Sequence, residues 1–263
     1  MHQKPVVFIT GGAGGIGAAC AERLQSTFHV AIGDHDGFVA QTAAQLVGGS
    51  GFECDVTSVA SVANCVERIE ADHGPIAALV TLAGVIQERH FAPEAFEQAD
   101  WDKVMNVNCR GTWICCREVG ARMARRGSGS IVTVSSIAGH RSWPTHAYGP
   151  SKAAVMSMTQ NLAVEWGRSG VRVNSISPGF TKTRRVEELE ISRGQSNDML
   201  IRQTALGRWI RPEEVASATA FLLSEEASGI TGIDLPVDAG WLSAVNWTGV
   251  GAGVVPEARA ISA

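Results

Sequence analysis

Tyrosine is nearly missing from this chain: Tyr148 stands alone in 263 residues that include 7 Trp and 8 Phe. Other scarcities exclude whole classes of function. No apolar stretch approaches the ~20 residues of a membrane span, so no membrane-spanning role is expected. The N-terminal MHQKPVVFITGG carries an apolar run only from Val6 to Ile9, too short for a secretory signal. Charge of either sign is also modest: 22 basic against 26 acidic residues give a net −4. That leaves no electrostatic footprint for nucleic acid or an anionic membrane. The six cysteines, Cys20, Cys54, Cys65, Cys109, Cys115 and Cys116, form no Cys-x-x-Cys pair. No His spacing beside them reads as a zinc site. Scattered thiols of this kind fit a reducing cytoplasm and buried, inert positions.

What is present is a rhythm. Strand-like apolar runs occur at 6–10, 29–34, 51–56, 76–84, 130–136, 171–179 and 234–237, with helical patterns between them. In SVASVANCVERIEADHG, Val59, Val62, Val66 and Ile69 fall on one helical face, with Thr57 as the expected N-cap and Gly74-Pro75 as the stop. Strands that alternate with helices imply crossover units and a parallel sheet. The strand runs are continuously apolar, as strands covered on both faces should be. The expectation is one doubly wound α/β domain. The polar, helix-prone stretch 181–206 interrupts the rhythm and reads as a lid over a substrate site.

TGGAGGIG, residues 10–17, follows the first strand and opens the first helix. Glycine there permits a tight turn and close approach of a pyrophosphate, whose charge the helix N–H groups then face. Alone, such a turn is a weak signal. Its context strengthens it: Asp34 ends the second strand, 23 residues after Gly11, near the ~20 expected for a ribose-binding carboxylate. Asp55 and Val56, at the end of the third strand, would lie along the same crevice beside an adenine. Tyr148 and Lys152 are four apart on a helix and so share a face. A cation within ~4–6 Å lowers a tyrosine pKa by 1–3 units, which would suit Tyr148 for proton transfer. Taken alone, the pair also describes an ordinary solvated helix face.

In order along the chain stand TGGAGGIG, NVNCRG (106–111), SSIAG (135–139), YGPSK (148–152), SPGFTKT (177–183) and GITGIDLPVDAG (229–240). Together these resemble the short-chain dehydrogenase/reductase family over residues 5–242. The resemblance implies a Rossmann-type sheet of about seven strands with helices on both faces, an NAD cofactor and a homo-oligomer, a tetramer or else a dimer. It implies a hydride transfer between NAD(H) and a secondary alcohol or ketone. By that resemblance Tyr148 is the general acid/base and Lys152 lowers its pKa and binds the nicotinamide ribose. Ser136 hydrogen-bonds the substrate oxygen, with Ser135 as the fallback, and Asn108 holds a water that links Lys152 to solvent. The cofactor would meet Gly11, Gly15, Ile16, Gly17, Asp34, Asp55, Val56, Ala83 and Gly84. At the nicotinamide end it would meet Pro178, Gly179, Thr181 and Thr183. No metal is called for.

Substrate contacts are expected from Ile86 and Gln87 and from the loop Ala138–His146, with Ala138, Trp143 and His146 the foremost and His140 a further candidate. Arg184 and Arg185 could hold a substrate carboxylate or belong to a solvated lid. Two rival readings stay open: an NADPH-dependent carbonyl or ketoacyl reductase, and a catalytically silent NAD-binding regulator. The family usually carries Asn-Asn-Ala-Gly where this chain has Thr81-Leu82-Ala83-Gly84, and a Gly where it has Ala239. Helices at 101–126 and 148–168 carry more apolar residues than one sheet face can bury. Residues 243–263 form a tail beyond the resemblance.

Overall fold

The computed structural model describes residues 4–86, 92–184, 186, 188 and 198–244. Gln87, Arg185, much of the expected lid and the tail from residue 245 lie outside the described residues. β1 (Val6–Thr10), α1 (Gly15–Leu24), β2 (His29–Asp34), α2 (Gly37–Gln45) and β3 (Ser50–Glu53) form the first half. α3 (Val59–His73), β4 (Ile76–Thr81), α4 (Gln98–Met105), α5 (Thr112–Arg126) and β5 (Gly129–Val134) follow. α6 (Tyr148–Gly167), β6 (Val171–Pro178), α7 (Pro212–Leu223), β7 (Asp234–Val237) and α8 (Trp241–Ala244) complete the chain. The sheet is wholly parallel, in the order β3-β2-β1-β4-β5-β6-β7.

Alternation along β1 explains the two layers. Val6 and Phe8 pack with Val66, Ile69, Val119 and Met123 of α3 and α5 on one face. Val7 and Ile9 pack with Cys20, Leu24, Val215 and Leu222 of α1 and α7 on the other. Both faces are therefore buried, which is why the strands read as unbroken apolar runs. The strand order reverses between β1 and β4, and the crevice at that reversal is where open α/β sheets bind ligands.

Several boundaries differ from the sequence expectation, each for a local reason. β3 stops at Glu53 rather than Val56, because Asp55 Oδ1 accepts from both Thr57 N (2.9 Å) and Thr57 Oγ1 (2.7 Å) and turns the chain. That use of Thr57 leaves Ser58 as the cap of α3, its side chain accepting from Ser61 N at 3.3 Å. The expected helix 101–126 is two helices joined by a π-helical segment, Asn106–Gly111. Such π segments are uncommon and often mark functional sites. Ala239 adopts φ +52, a left-handed conformation that costs a non-glycine residue roughly 1–2 kcal/mol. The change from glycine there is thus a strained one.

The surplus of apolar residues on α5 and α6 is smaller than the sequence suggests. Ile114, Cys115, Cys116 and Leu162 are buried within the subunit. Trp166 lies over Gly120, where a Cβ would come within 2.2 Å of the indole. Trp113 and Val164 remain exposed. All the cysteines are free, five of them buried and Cys109 half-buried. Burial pushes the Cys20 thiol up to about 11 and Cys116 to about 12, so neither is a nucleophile at neutral pH.

Candidate active site

The site is assembled at the carboxyl ends of β1, β4, β5 and β6. After β1 the chain turns at Gly11, whose φ is +66 and where a Cβ would fall 2.6 Å from Ala83 Cα. Only glycine lets these two backbones pass. Gly17 is closed in the same way, 2.6 Å from Gly11 O, so β1 and α1 meet tightly, with Ile16 packed against the apolar layer. α1 starts at Gly15 with no side-chain cap and no acidic residue in its first turn. Its N–H groups therefore face an open cavity of about 590 Å³ lined by Ala13, Gly14 and Gly15. Thr183 reaches over from the segment after β6, its Cβ 3.0 Å from where a Cβ on Gly15 would lie.

Asp34 sits at the end of β2 with its side chain 15% exposed, its Oδ1 2.8 Å from His35 Nδ1. The neighbouring Asp36 holds a helix start instead, its carboxylate capping α2 by accepting from Phe38 N and Val39 N. Asp55 is exposed at the next strand end, and Val56 is buried against Gly111. Thr81 does not replace the amide that the family carries there. Its hydroxyl, and that of Thr10 beside it in register, is buried with no hydrogen-bond partner among the described residues, while Leu82 packs into the apolar layer. A glycine cradle that a Cβ would fill, an uncapped helix start, a carboxylate at the second strand end and two orphaned hydroxyls at the crevice together fit a dinucleotide.

The reactive groups converge around Gly84. A Cβ there would be 3.4 Å from Asn108 Oδ1 and 3.8 Å from Lys152 Nζ. Tyr148 is the first residue of α6, and Lys152 one turn on is 6% exposed. Ser136 hydrogen-bonds the Tyr148 hydroxyl and also accepts from Ala138 N at 3.2 Å. Ser135 is spent elsewhere: it donates to Lys152 O at 2.8 Å and ties α6 to the end of β5. The geometry thus separates Ser136, the serine expected at the substrate oxygen, from Ser135, its fallback.

Asn108 lies in the π segment, wholly buried. Its Nδ2 donates to Val85 O (2.9 Å) and Ser151 Oγ (3.2 Å), and its Oδ1 accepts from Val85 N (2.8 Å). That side chain staples the strand β4 exit; it makes no hydrogen bond to Lys152.

Lys152 Nζ donates to Val134 O at 2.8 Å and lies 5.7 Å from the Tyr148 ring centre. Burial lowers its pKa to about 8. Tyr148 moves the other way from the expectation. Burial raises its pKa, and the Ser136 hydrogen bond offsets only part of the rise. Tyr148 is half-buried, with part of its surface open to the cleft, so water moderates that rise. The Lys152 ammonium is directed at the Val134 carbonyl instead.

The remaining predicted contacts separate clearly. Trp143 belongs to an aromatic cluster with Phe180 (5.8 Å) and Trp241 (6.0 Å), and Phe180 also meets Trp209 at 6.5 Å. The sequence reading does not single out Phe180, Trp209 or Trp241; the aromatic directly after Pro178-Gly179 is the available signal. His146 stands 5.8 Å from Phe96 in a cavity of about 390 Å³ with Trp101 and Gln98. His140 is drawn away, its Nε2 2.8 Å from Asp234 Oδ2 and 3.1 Å from Ser177 Oγ. Gly179 abuts Asp238. Thr181 is buried and bridges to Ile210, with its hydroxyl donating to Gly179 O at 3.1 Å. Ile86 is 45% exposed.

A parallel doubly wound sheet with a glycine turn after β1 and a Ser-Tyr-Lys group after β5 defines a nicotinamide-dependent oxidoreductase. Sequence comparison gives the family. The family profile described as enoyl-(acyl carrier protein) reductase matches residues 11–242. A D-threitol dehydrogenase of Mycolicibacterium smegmatis is 37% identical over 90% of this chain and 92% of that protein. A crystal structure described as ribose-5-phosphate isomerase from Brucella melitensis 16M is 44% identical, covering 95% of this chain and 97% of that one, with TM-score 0.91. A variant actinorhodin polyketide ketoreductase with NADPH is 27% identical over 90% of this chain and 97% of its own, with TM-score 0.84. The chain belongs to the short-chain dehydrogenase/reductase family.

Proposed function

We propose that the protein interconverts a secondary alcohol and its ketone with NAD(H). The observation that carries this reading is the Ser136-Tyr148-Lys152 group beside Gly84, in the same crevice as Asp34. The cofactor supplies the hydride donor and acceptor. Gly11, Gly15 and Gly17 give its pyrophosphate room, Asp34 accepts from its ribose hydroxyls, and Asp55 and Val56 border its adenine. Ala83, Gly84, Gly179, Thr181 and Thr183 flank its nicotinamide half. Ser136 donates to the substrate oxygen, and Tyr148 gives or takes the proton there. Lys152 stabilises the negative charge that grows on the tyrosine oxygen. Asn108 fixes the β4 exit so that Lys152 and the nicotinamide ribose meet.

The trend in pKa favours Tyr148 as an acid, hence carbonyl reduction near neutral pH. Reduction should hold below about pH 8 and fall above it, as Lys152 loses its proton. Oxidation should instead rise with pH, because Tyr148 must first lose its own. Rate profiles in both directions, taken at saturating cofactor, check these opposite slopes. The aromatic cluster of Trp143, Phe180 and Trp241 and the His146 cavity bound the substrate space, and a relative named for a polyol makes polyols the first compounds to assay. A panel of secondary alcohols followed by NADH absorbance tests the function. Conversion of a sugar phosphate with no need of NAD would favour isomerisation instead.

The assembly is proposed to be a homo-oligomer, with exposed Trp113 on α5 and Val164 on α6 at the contact. Light scattering should give a dimer or tetramer at micromolar concentration, and a monomer would rule this out. The segment 181–206 is the proposed lid.

A further inference from the structure

Arg184 borders the dinucleotide crevice, and its role depends on the dinucleotide reading above. The cavity at the start of α1 has two walls. Ala13, Gly14 and Gly15 make one, and Arg184 with Glu188 makes the other. The first wall is positive, since α1 begins uncapped and without an acidic residue in its first turn. The second wall brings a guanidinium to the same space. Two positive groups that face one cavity of about 590 Å³ suit a doubly charged anion.

The protein answers Arg184 with one carboxylate. Arg184 Nε lies 3.2 Å from Glu188 Oε1 across one helical turn, with side chains 90% and 64% exposed. An exposed pair of this kind contributes little and breaks easily. An arginine on a phosphate can make two parallel charge-assisted hydrogen bonds, which a lysine cannot. Arg184 has little distance to cover. Thr183 immediately before it already touches the Gly15 wall, and its hydroxyl accepts from Val186 N at 3.4 Å to start the turn that carries Arg184.

We infer that Arg184 exchanges partners: it leaves Glu188 and binds the cofactor pyrophosphate, and Glu188 competes with the pyrophosphate for it. The pairing of Arg184 with Glu188 therefore depends on cofactor occupancy, and Glu188 assists release. Both side chains are exposed, so neither substitution threatens the fold.

Direct binding tests this without turnover. NADH fluorescence titrations should show Arg184→Gln weakened roughly tenfold, with a shallower dependence on salt. Adenosine, which carries no phosphate, should bind the variant as it binds the wild type. Glu188→Gln should bind NADH severalfold more tightly, because the competitor is gone. Equal NADH affinity in Arg184→Gln and wild type overturns the inference alone. So does an equal loss for adenosine and NADH, or weaker binding by Glu188→Gln. Failure of the wild-type chain to bind any nicotinamide dinucleotide overturns the reading on which it rests.

Discussion

Tyr148→Phe is expected to lower turnover by ~10²-fold or more while NADH affinity stays near wild type. The substitution keeps the ring and removes one oxygen. That oxygen hydrogen-bonds Ser136, and the Lys152 ammonium lies 5.7 Å from the ring centre. Little stability is at stake, so the melting temperature should hardly move. A hundredfold loss corresponds to about 2.7 kcal/mol of transition-state stabilisation, at 1.36 per factor of ten. Lys152→Ala should behave differently. It removes the donor to Val134 O and leaves a buried carbonyl unpaired, at a cost of ~1–3 kcal/mol. It should also weaken NADH binding, because Lys152 stands beside Gly84 in the cofactor crevice. A folded Tyr148→Phe protein with near-normal rates would remove Tyr148 from the mechanism, whatever Lys152→Ala does.

The architecture was legible because each strand carries its own signal. Continuous apolar runs marked β1 and β2 to the residue, since burial on both faces forces that pattern. Strand ends were less legible where a polar side chain ends the ladder. The Asp55 carboxylate that closes β3 looks in sequence like one more strand residue. The π segment at Asn106–Gly111 was invisible, because nothing in NVNCRG distinguishes it from ordinary helix. It matters to the site, since it places Asn108 against Val85.

In the site, the spacing between Tyr148 and Lys152 predicted a shared face, and the two do share one. Spacing could not predict where the Lys152 ammonium is directed. It donates to Val134 O, a contact set by the docking of α6 on β5, 18 residues away. The sign of the Tyr148 shift follows from that docking and from burial, neither of which is written locally. The same limit applies to the loop before Tyr148. Trp143 and His146 were foremost in sequence and His140 a further candidate, with nothing local to tell their roles apart. Only tertiary packing sends His140 to Asp234, Trp143 to Phe180 and His146 to the cavity by Phe96.

NAD should be preferred over NADP by ~10²-fold or more in kcat/KM. One carboxylate decides this. Asp34 ends β2, beside the Gly11 turn, whose N–H donates to Gly33 O at 2.7 Å. From there it can accept from the 2′- and 3′-hydroxyls of an NAD ribose, and it would repel the 2′-phosphate of NADP. A site for that phosphate needs a cation. No Arg or Lys occurs between Thr10 and Ala21 or between Val30 and Val47. His35 is the nearest titratable donor, but it is already 2.8 Å from Asp34 Oδ1. Asp36 adds a second negative group that caps α2. Relatives of known structure hold NADPH, so the family alone does not decide the choice; the side chains at this strand end do. Steady-state kinetics with both cofactors measures it directly. Asp34→Ala should narrow the gap, mostly by raising the KM for NAD, because it removes both the acceptor and the repulsion but adds no cation. Equal or better use of NADP by the wild type would mean that Asp34 does not face the ribose.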